Sequence, residues 1–137
     1  METVPRHRFV PGFYLPADER DGQGLTVWEP VTAELDCGRW LAAAYSDTTL
    51  VTQFDGNEPD WKQPAVRHGG TPTSPSTLPS LVVRMWADAE VTEGHTVLEI
   101  GTGTGYSTAH ACERLGSADV TSIEVDPHRL EQAASVL

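Results

Sequence analysis

The sequence has 137 residues, a length within the range of one ordinary domain. It carries 9 Lys and Arg against 20 Asp and Glu, a formal net charge of −11. This charge argues against nucleic-acid binding and against docking on an anionic membrane through a basic patch. No apolar run approaches the ~18 residues of a membrane-spanning helix, and the first residues lack the apolar core of a signal peptide. We therefore expect a cytoplasmic protein in which Cys37 and Cys112 are free thiols.

The first part of the chain is rich in proline, which predicts short elements joined by turns up to about position 80. Residues 38–45 are predicted to form a short helix, and residues 48–56 an extended segment that ends in a turn. Residues 57–70 are predicted to be irregular, and residues 68–80 to form a loop, because Gly, Pro, Ser and Thr dominate there. Together with the next helix, these elements predict a helical and irregular segment over residues 1–93.

A helix is predicted at residues 78–90, because its apolar residues recur at helical spacing. They form one stripe: Leu78, Leu81, Val82, Met85 and Trp86. The tryptophans are expected in the core or in pocket walls: Trp28, Trp40, Trp61 and Trp86.

Regular alternation of strand and helix begins at about residue 94. Residues 96–100 are predicted to form a buried strand, and a helix follows at residues 106–115 and stops at Gly116. Residues 119–125 are predicted to form a second strand. Asp126 and Pro127 are typical of a helix start, and that helix continues to the end. Residues 94–137 thus predict the opening of an α/β fold with a parallel sheet.

A glycine-rich loop joins the first of these strands to its helix. Glycines at positions 101, 103 and 105 permit a sharp turn, and the helix N-terminus offers N–H groups to an anionic group. The spacing is G-x-G-x-G. A dinucleotide fingerprint needs G-x-G-x-x-G, and the positions of its last glycine hold Tyr106 or Thr108. Glu124, at the end of the second strand, is suited to accept hydrogen bonds from ribose hydroxyls. A second acid, Glu99, precedes the loop.

These residues resemble a known family. VLEIGTGTGY (residues 97–106) and SIEVD (residues 122–126) resemble motif I and the acidic loop of class I S-adenosylmethionine-dependent methyltransferases. Upstream, VPRHRFVP (residues 4–11) and AYSD (residues 44–47) resemble segments of the protein-L-isoaspartate O-methyltransferases. SPSTLPS (residues 74–80) lies where that family has its substrate loop, which we place at residues 71–80. The family loop reads approximately S-A-P-H-M, and this chain has no His there, so the resemblance is weaker for the substrate than for the cofactor.

The resemblance implies a Rossmann-like class I methyltransferase fold, truncated here after the second core strand and its helix. It implies that S-adenosyl-L-methionine is the cofactor and that a protein or peptide carrying an L-isoaspartyl or aspartyl carboxylate is the substrate. The implied cofactor-binding residues are Glu99, Gly101, Thr102, Gly103, Thr104, Gly105, Tyr106, Glu124 and Val125.

Hydroxyl groups are the expected catalytic groups. A carboxylate is already ionised at pH 7, so its methylation needs positioning rather than a strong base. Ser76 and Thr77 are the expected catalytic residues, and Thr73 and Ser74 are weaker candidates.

Several other interpretations stay open. The glycines could serve only the turn or bind another nucleotide, and the chain could be a non-catalytic remnant that at most binds the nucleoside. An aspartyl methyltransferase that modifies peptides is a further possibility, whereas Tyr106 disfavours a dinucleotide-dependent oxidoreductase. Scattered histidines predict no metal site. Arg6 and Arg8 are expected in surface ion pairs, and the open sheet edges predict self-association.

Overall fold

The computed structural model describes residues 3–137. It contains seven strands and four α-helices, with 3-10 turns at Arg6–Phe9 and Ser117–Asp119. In chain order the elements are β1 (Gly12–Arg20), β2 (Thr26–Thr32), α1 (Ala33–Ala44), β3 (Leu50–Phe54), β4 (Arg67–His68), β5 (Pro72–Ser76), α2 (Pro79–Asp88), β6 (Val97–Ile100), α3 (Tyr106–Leu115), β7 (Val120–Ile123) and α4 (Pro127–Val136). Within the described part of the chain, no helix is long and apolar enough to cross a membrane.

The first five strands form an antiparallel sheet in the order β4-β2-β1-β3-β5. β1 and β2 are a hairpin that pairs Gly12 with Thr32 at its open end, and β3 joins β1 through Tyr14 and Val51. The core beneath this sheet consists of fully buried apolar side chains from β1, β2, β3, α1 and the segment before β1: Val10, Phe13, Val31, Ala44 and Leu50. The sheet therefore has a core of its own.

This sheet shows that the predicted helical and irregular character of residues 1–93 is wrong. The hairpin is absent from that prediction, and β5 occupies the predicted loop at residues 68–80. Prolines are accommodated because of where they lie. Pro16 lies on β1 beyond the point at which β3 pairs with it, and Pro30 lies on β2 beyond the residues that pair with β4. Pro72 and Pro75 lie on β5, which is an edge strand. A strand with a neighbour on one side only can lose an N–H donor without leaving a gap in the sheet.

Helix α1 begins earlier than the predicted helix at residues 38–45. Thr32 Oγ1 accepts from the Leu35 N–H at 3.3 Å and caps the first turn. Asp36 then breaks the helix with extended backbone, and its carboxylate caps the second part by accepting from the Arg39 N–H at 2.9 Å. The predicted helix corresponds to this second part.

Helix α2 is confirmed, within bounds of Pro79–Asp88, but most of its apolar stripe is not buried. Val82 is buried, whereas Leu81 and Met85 are 42% and 59% exposed. Trp86 is partly buried, as are the other three tryptophans. The stripe therefore faces solvent along much of its length.

β6, α3, β7 and α4 form the predicted βαβα unit, with β6 and β7 parallel and in the register Val97 to Val120. β7 is shorter than the predicted strand at residues 119–125, and the strand predicted at residues 96–100 is not buried. Leu98, Ile100 and Ile123 are 62%, 79% and 49% exposed. The apolar side chains of this two-stranded sheet are therefore incompletely covered.

Two buried arginines connect the βαβα unit to the antiparallel sheet. Arg129 of α4 donates to the Thr52 carbonyl of β3 at 2.7 Å, and its Nε lies 2.8 Å from Glu58 Oε1. Arg6 lies 5.5 Å from the centre of the Tyr106 ring, at the start of α3. The glycine-rich loop and β5 are thereby held beside each other.

Candidate functional site

The glycine-rich loop leaves β6 through residues with left-handed backbone. Gly101, Gly103 and Gly105 have φ values of 90°, 56° and 85°, a region that L side chains rarely adopt. A Cβ on Gly101 would have no neighbour within 4 Å, and one on Gly103 would meet only the Pro75 carbonyl at 3.9 Å. The loop backbone therefore borders open space, into which a ligand can approach the main chain.

Gly105 lies on the opposite side of the loop. A Cβ there would come within 3.1 Å of the Ala133 Cβ on α4. Its N–H donates to the Thr102 carbonyl at 2.9 Å and closes the turn into α3. This glycine permits close packing of α4 on the loop.

Glu124 follows β7 and holds the loop from the side. Its Oε2 accepts from the Gly103 N–H at 2.8 Å, and its Oε1 accepts from the N–H groups of Val125 and Asp126 at 2.9 and 3.1 Å. A carboxylate has about four lone-pair positions, so Glu124 can accept from one further donor. A second position would become available if a ligand donor replaced the Gly103 N–H. Val125 is 97% exposed beside it.

Glu99 is tied to the neighbouring elements through hydroxyl groups. Its Oε2 accepts hydrogen bonds from Thr108 of α3 and, at 2.7 Å, from Ser122 of β7. Ser122 is also bonded to Thr102 at 2.7 Å. This network fixes β6, β7 and α3 around the first turn of the loop.

Two adjoining clefts separate the glycine-rich loop from β5. The larger cleft has a volume of about 490 Å³. It is lined by Gln53, Gly56, Thr73, Ser74, Pro75, Thr77, Gly101, Gly103, Glu124, Val125, Asp126 and Arg129. The smaller cleft has a volume of about 160 Å³. It is lined by Pro75, Ser76, Thr77, Val82, Met85, Glu99, Gly101, Thr102, Gly103, Thr104, Tyr106 and Ser107.

The predicted residues are thus distributed over the two clefts. Glu124 and Val125 line the larger cleft, and Glu99, Ser76 and Tyr106 line the smaller one. Thr77, Gly101 and Gly103 border both. Gly105 lines neither cleft, because it packs against α4. The structure therefore brings the other predicted cofactor residues and the predicted catalytic hydroxyls to opposite walls of one continuous site.

The Ser76 side chain is 1% exposed at the end of β5. Its Oγ accepts a hydrogen bond from Arg6 Nε at 3.3 Å. The expectation that Arg6 makes a surface ion pair is wrong, because Arg6 is itself 1% exposed and bonds mainly to backbone carbonyls. Burial lowers the pKa of Arg6.

Sequence reasoning missed a polar wall of the larger cleft. Gln53, buried on β3, donates to Asp126 at 2.8 Å and to Glu58 at 2.9 Å and accepts from Thr73 at 2.8 Å. The hydrogen bond from Gln53 is the main reason that the pKa of Asp126 is lowered, whereas burial lowers the pKa of Arg129. The sequence indicates Asp126 as a helix cap and as the last residue of SIEVD, and nothing in the sequence around Gln53 indicates its partners.

Within residues 3–137 no group of three or more His, Cys, Asp or Glu side chains could hold a metal ion. The charged groups at the site include the Glu99, Glu124 and Asp126 carboxylates and the buried arginines Arg6 and Arg129 behind the loop. The site can thus present acceptors to hydroxyl or amino groups and donors to an anion.

The sequence is similar to known proteins. Residues 43–137 match the family model described as "Protein-L-isoaspartate(D-aspartate) O-methyltransferase (PCMT)". A protein-L-isoaspartate O-methyltransferase of Methanosarcina mazei is 31% identical over 116 residues, which cover 85% of this chain and 30% of that protein. Protein-L-isoaspartate O-methyltransferase 2 of Archaeoglobus fulgidus is 42% identical over 62 residues, which cover 44% of this chain and 28% of that protein.

A ribosomal protein L11 methyltransferase of Laribacter hongkongensis is 39% identical over 62 residues, which cover 45% of this chain and 20% of that protein. The chain thus spans between a fifth and a third of the length of these curated relatives. No solved structure matches. Because the family model covers more than half of the chain, the chain belongs to the protein-L-isoaspartate(D-aspartate) O-methyltransferase family, whose members depend on S-adenosylmethionine.

Proposed function

We propose that the chain transfers a methyl group from S-adenosylmethionine to the carboxylate of an L-isoaspartyl or aspartyl residue in a protein or peptide. The observation that carries this proposal is the continuous site in which the glycine-rich loop and Glu124 face the Ser76 and Thr77 end of β5. Residues 94–137 are the proposed cofactor-binding part, and residues 71–80 are the proposed substrate-binding part.

The residues at the larger cleft fit the adenosine portion of the cofactor. If Gly101 or Gly103 were any other residue, its side chain would project into the open space beside the loop. The cleft volume of about 490 Å³ is within the range of small-molecule sites. Glu124 would accept from the ribose hydroxyls, and exposed Val125 would cover the base. The cofactor, when bound, supplies an electrophilic methyl group on a sulfonium.

The chain's own residues would position the acceptor. A carboxylate is ionised at neutral pH, so the site has to hold and align it rather than deprotonate it. The Ser76 and Thr77 hydroxyls at the smaller cleft would donate to one carboxylate oxygen and leave the other free to attack. Glu99, fixed by Thr108 and Ser122, would accept from the amino group of the cofactor's amino-acid end.

Labelled S-adenosylmethionine and a matched pair of peptides test the proposal. We expect base-labile methyl ester on a peptide that contains L-isoaspartate, and less on the same peptide with L-aspartate. More ester on the aspartyl peptide would indicate the peptide-modifying alternative. Titration calorimetry with S-adenosylhomocysteine measures cofactor binding separately from methyl transfer. Binding without ester on either peptide would show that the chain binds the nucleoside but does not transfer the methyl group.

A further inference from the structure

The segment VPRHRFVP holds a buried arginine that the proposed function does not yet use. The Arg6 guanidinium reaches the end of α1 and the turn after it. It donates to the carbonyls of Ala44, Ser46 and Thr48 at 3.4, 3.2 and 2.9 Å. These bonds fix the plane of the guanidinium, so that its second edge, formed by Nε and Nη2, points in a defined direction.

That other edge is bonded to the end of β5. Arg6 donates to the carbonyls of Ser76 and Thr77 at 2.9 and 3.1 Å and, through Nε, to Ser76 Oγ at 3.3 Å. Ser76 Oγ is therefore an acceptor toward Arg6. Within the described part of the chain, its own O–H donates to no group. The hydroxyl proton is thus available to an acceptor in the smaller cleft, which Ser76 lines.

Charge gives Arg6 a second effect at this cleft. Glu99 also lines the smaller cleft and Glu124 lies across the loop, so an incoming carboxylate meets negative charge there. Arg6 lies behind Ser76, is 1% exposed and stays protonated at neutral pH. A positive charge screened so little by water opposes the repulsion from the two acids.

We propose that Arg6 is a positioning residue for the methyl acceptor. It fixes Ser76 so that the hydroxyl donates to the acceptor carboxylate, and it supplies positive potential at that point. This inference rests on the proposed carboxyl methyltransferase function and adds to it the residue that orients the catalytic hydroxyl.

A double-mutant cycle tests the proposal. We expect Arg6→Lys and Ser76→Ala each to lower kcat/KM for the isoaspartyl peptide by about tenfold to a hundredfold, the range of a lost charged hydrogen bond. Because Arg6 acts through Ser76, the double variant should be no worse than the weaker single variant. The Kd for S-adenosylhomocysteine should stay within about threefold of wild type, and Arg8→Lys, an exposed neighbour, should leave both values unchanged.

Additive losses in the cycle, or wild-type kcat/KM in Arg6→Lys, would overturn the proposal while leaving the proposed function intact. If wild type itself forms no ester, the proposed function fails and this inference fails with it. Should Arg6→Lys not fold, the Nε–H resonance of Arg6 provides the test with Arg6 in place. It should shift when the peptide is added to wild type bound to S-adenosylhomocysteine and should not shift in Ser76→Ala. An unshifted resonance in wild type would refute the role.

Discussion

Replacement of Glu124 by Ala should remove most of the affinity for the nucleoside. The carboxylate orders the loop by accepting from Gly103. In the proposed complex it would accept from two ribose hydroxyls, one at its free lone-pair position and one in place of the Gly103 N–H. A hydrogen bond to a charged group contributes about 1.5–3 kcal/mol, so two of them at the lower limit give about 3 kcal/mol. At 1.4 kcal/mol per tenfold change, Kd should rise by roughly a hundredfold or more.

The assay is calorimetric titration of S-adenosylhomocysteine into the wild type and the Glu124→Ala and Glu124→Gln variants. Glu124→Gln retains one acceptor oxygen and should lie between the other two. Glu131→Gln, at an exposed position on α4, removes the same charge away from the cleft and should bind like wild type. A Kd for folded Glu124→Ala within about threefold of wild type would refute the reasoning and remove Glu124 from the site.

Three further predictions concern stability. Arg129→Met should lower the free energy of unfolding in urea by about 2–4 kcal/mol, because it leaves the buried Thr52 carbonyl on β3 and the Glu58 carboxylate without their partner. Arg84→Met, whose side chain is 78% exposed, should change it by less than about 0.5 kcal/mol. Because the pKa of Asp126 is lowered in the fold, its stabilisation is present above the unfolded-state pKa of about 3.9 and is lost as pH falls through the folded-state pKa. Asp126→Asn should therefore lower Tm more at pH 7 than at pH 3, and an equal loss at both would contradict this account. Gly105→Ala should destabilise by about 1–2 kcal/mol through positive φ and contact with α4, whereas Gly22→Ala, with open space around it, should not.

The βαβα unit could be predicted because its signals are local. The apolar run before Gly101, Gly116 after α3 and the Asp126-Pro127 helix start each act within a few residues, and β6, α3, β7 and α4 are confirmed. Their burial could not be predicted in the same way. Whether Ile100 is buried depends on which other elements pack against β6, and the sequence of β6 does not indicate those elements.

The antiparallel sheet was missed because prolines outweighed a weaker signal. β2 contains the β-branched residues typical of strands, but Pro30 interrupts their alternation. β5 reads as a loop by composition and becomes a strand only through pairing with β3. The burial of Arg6 was the hardest feature to predict, because its partners are mainly backbone carbonyls, which any sequence would offer.

The bonds of Arg6 also bear on how the site assembles during folding. They join residues that lie 38 to 71 positions apart, so large loops must close before the guanidinium meets its carbonyls. Helices α3 and α4, in contrast, can form from neighbouring residues. The cleft should accordingly be among the late features to form, and its integrity depends on a side chain that is distant in sequence from the glycine-rich loop.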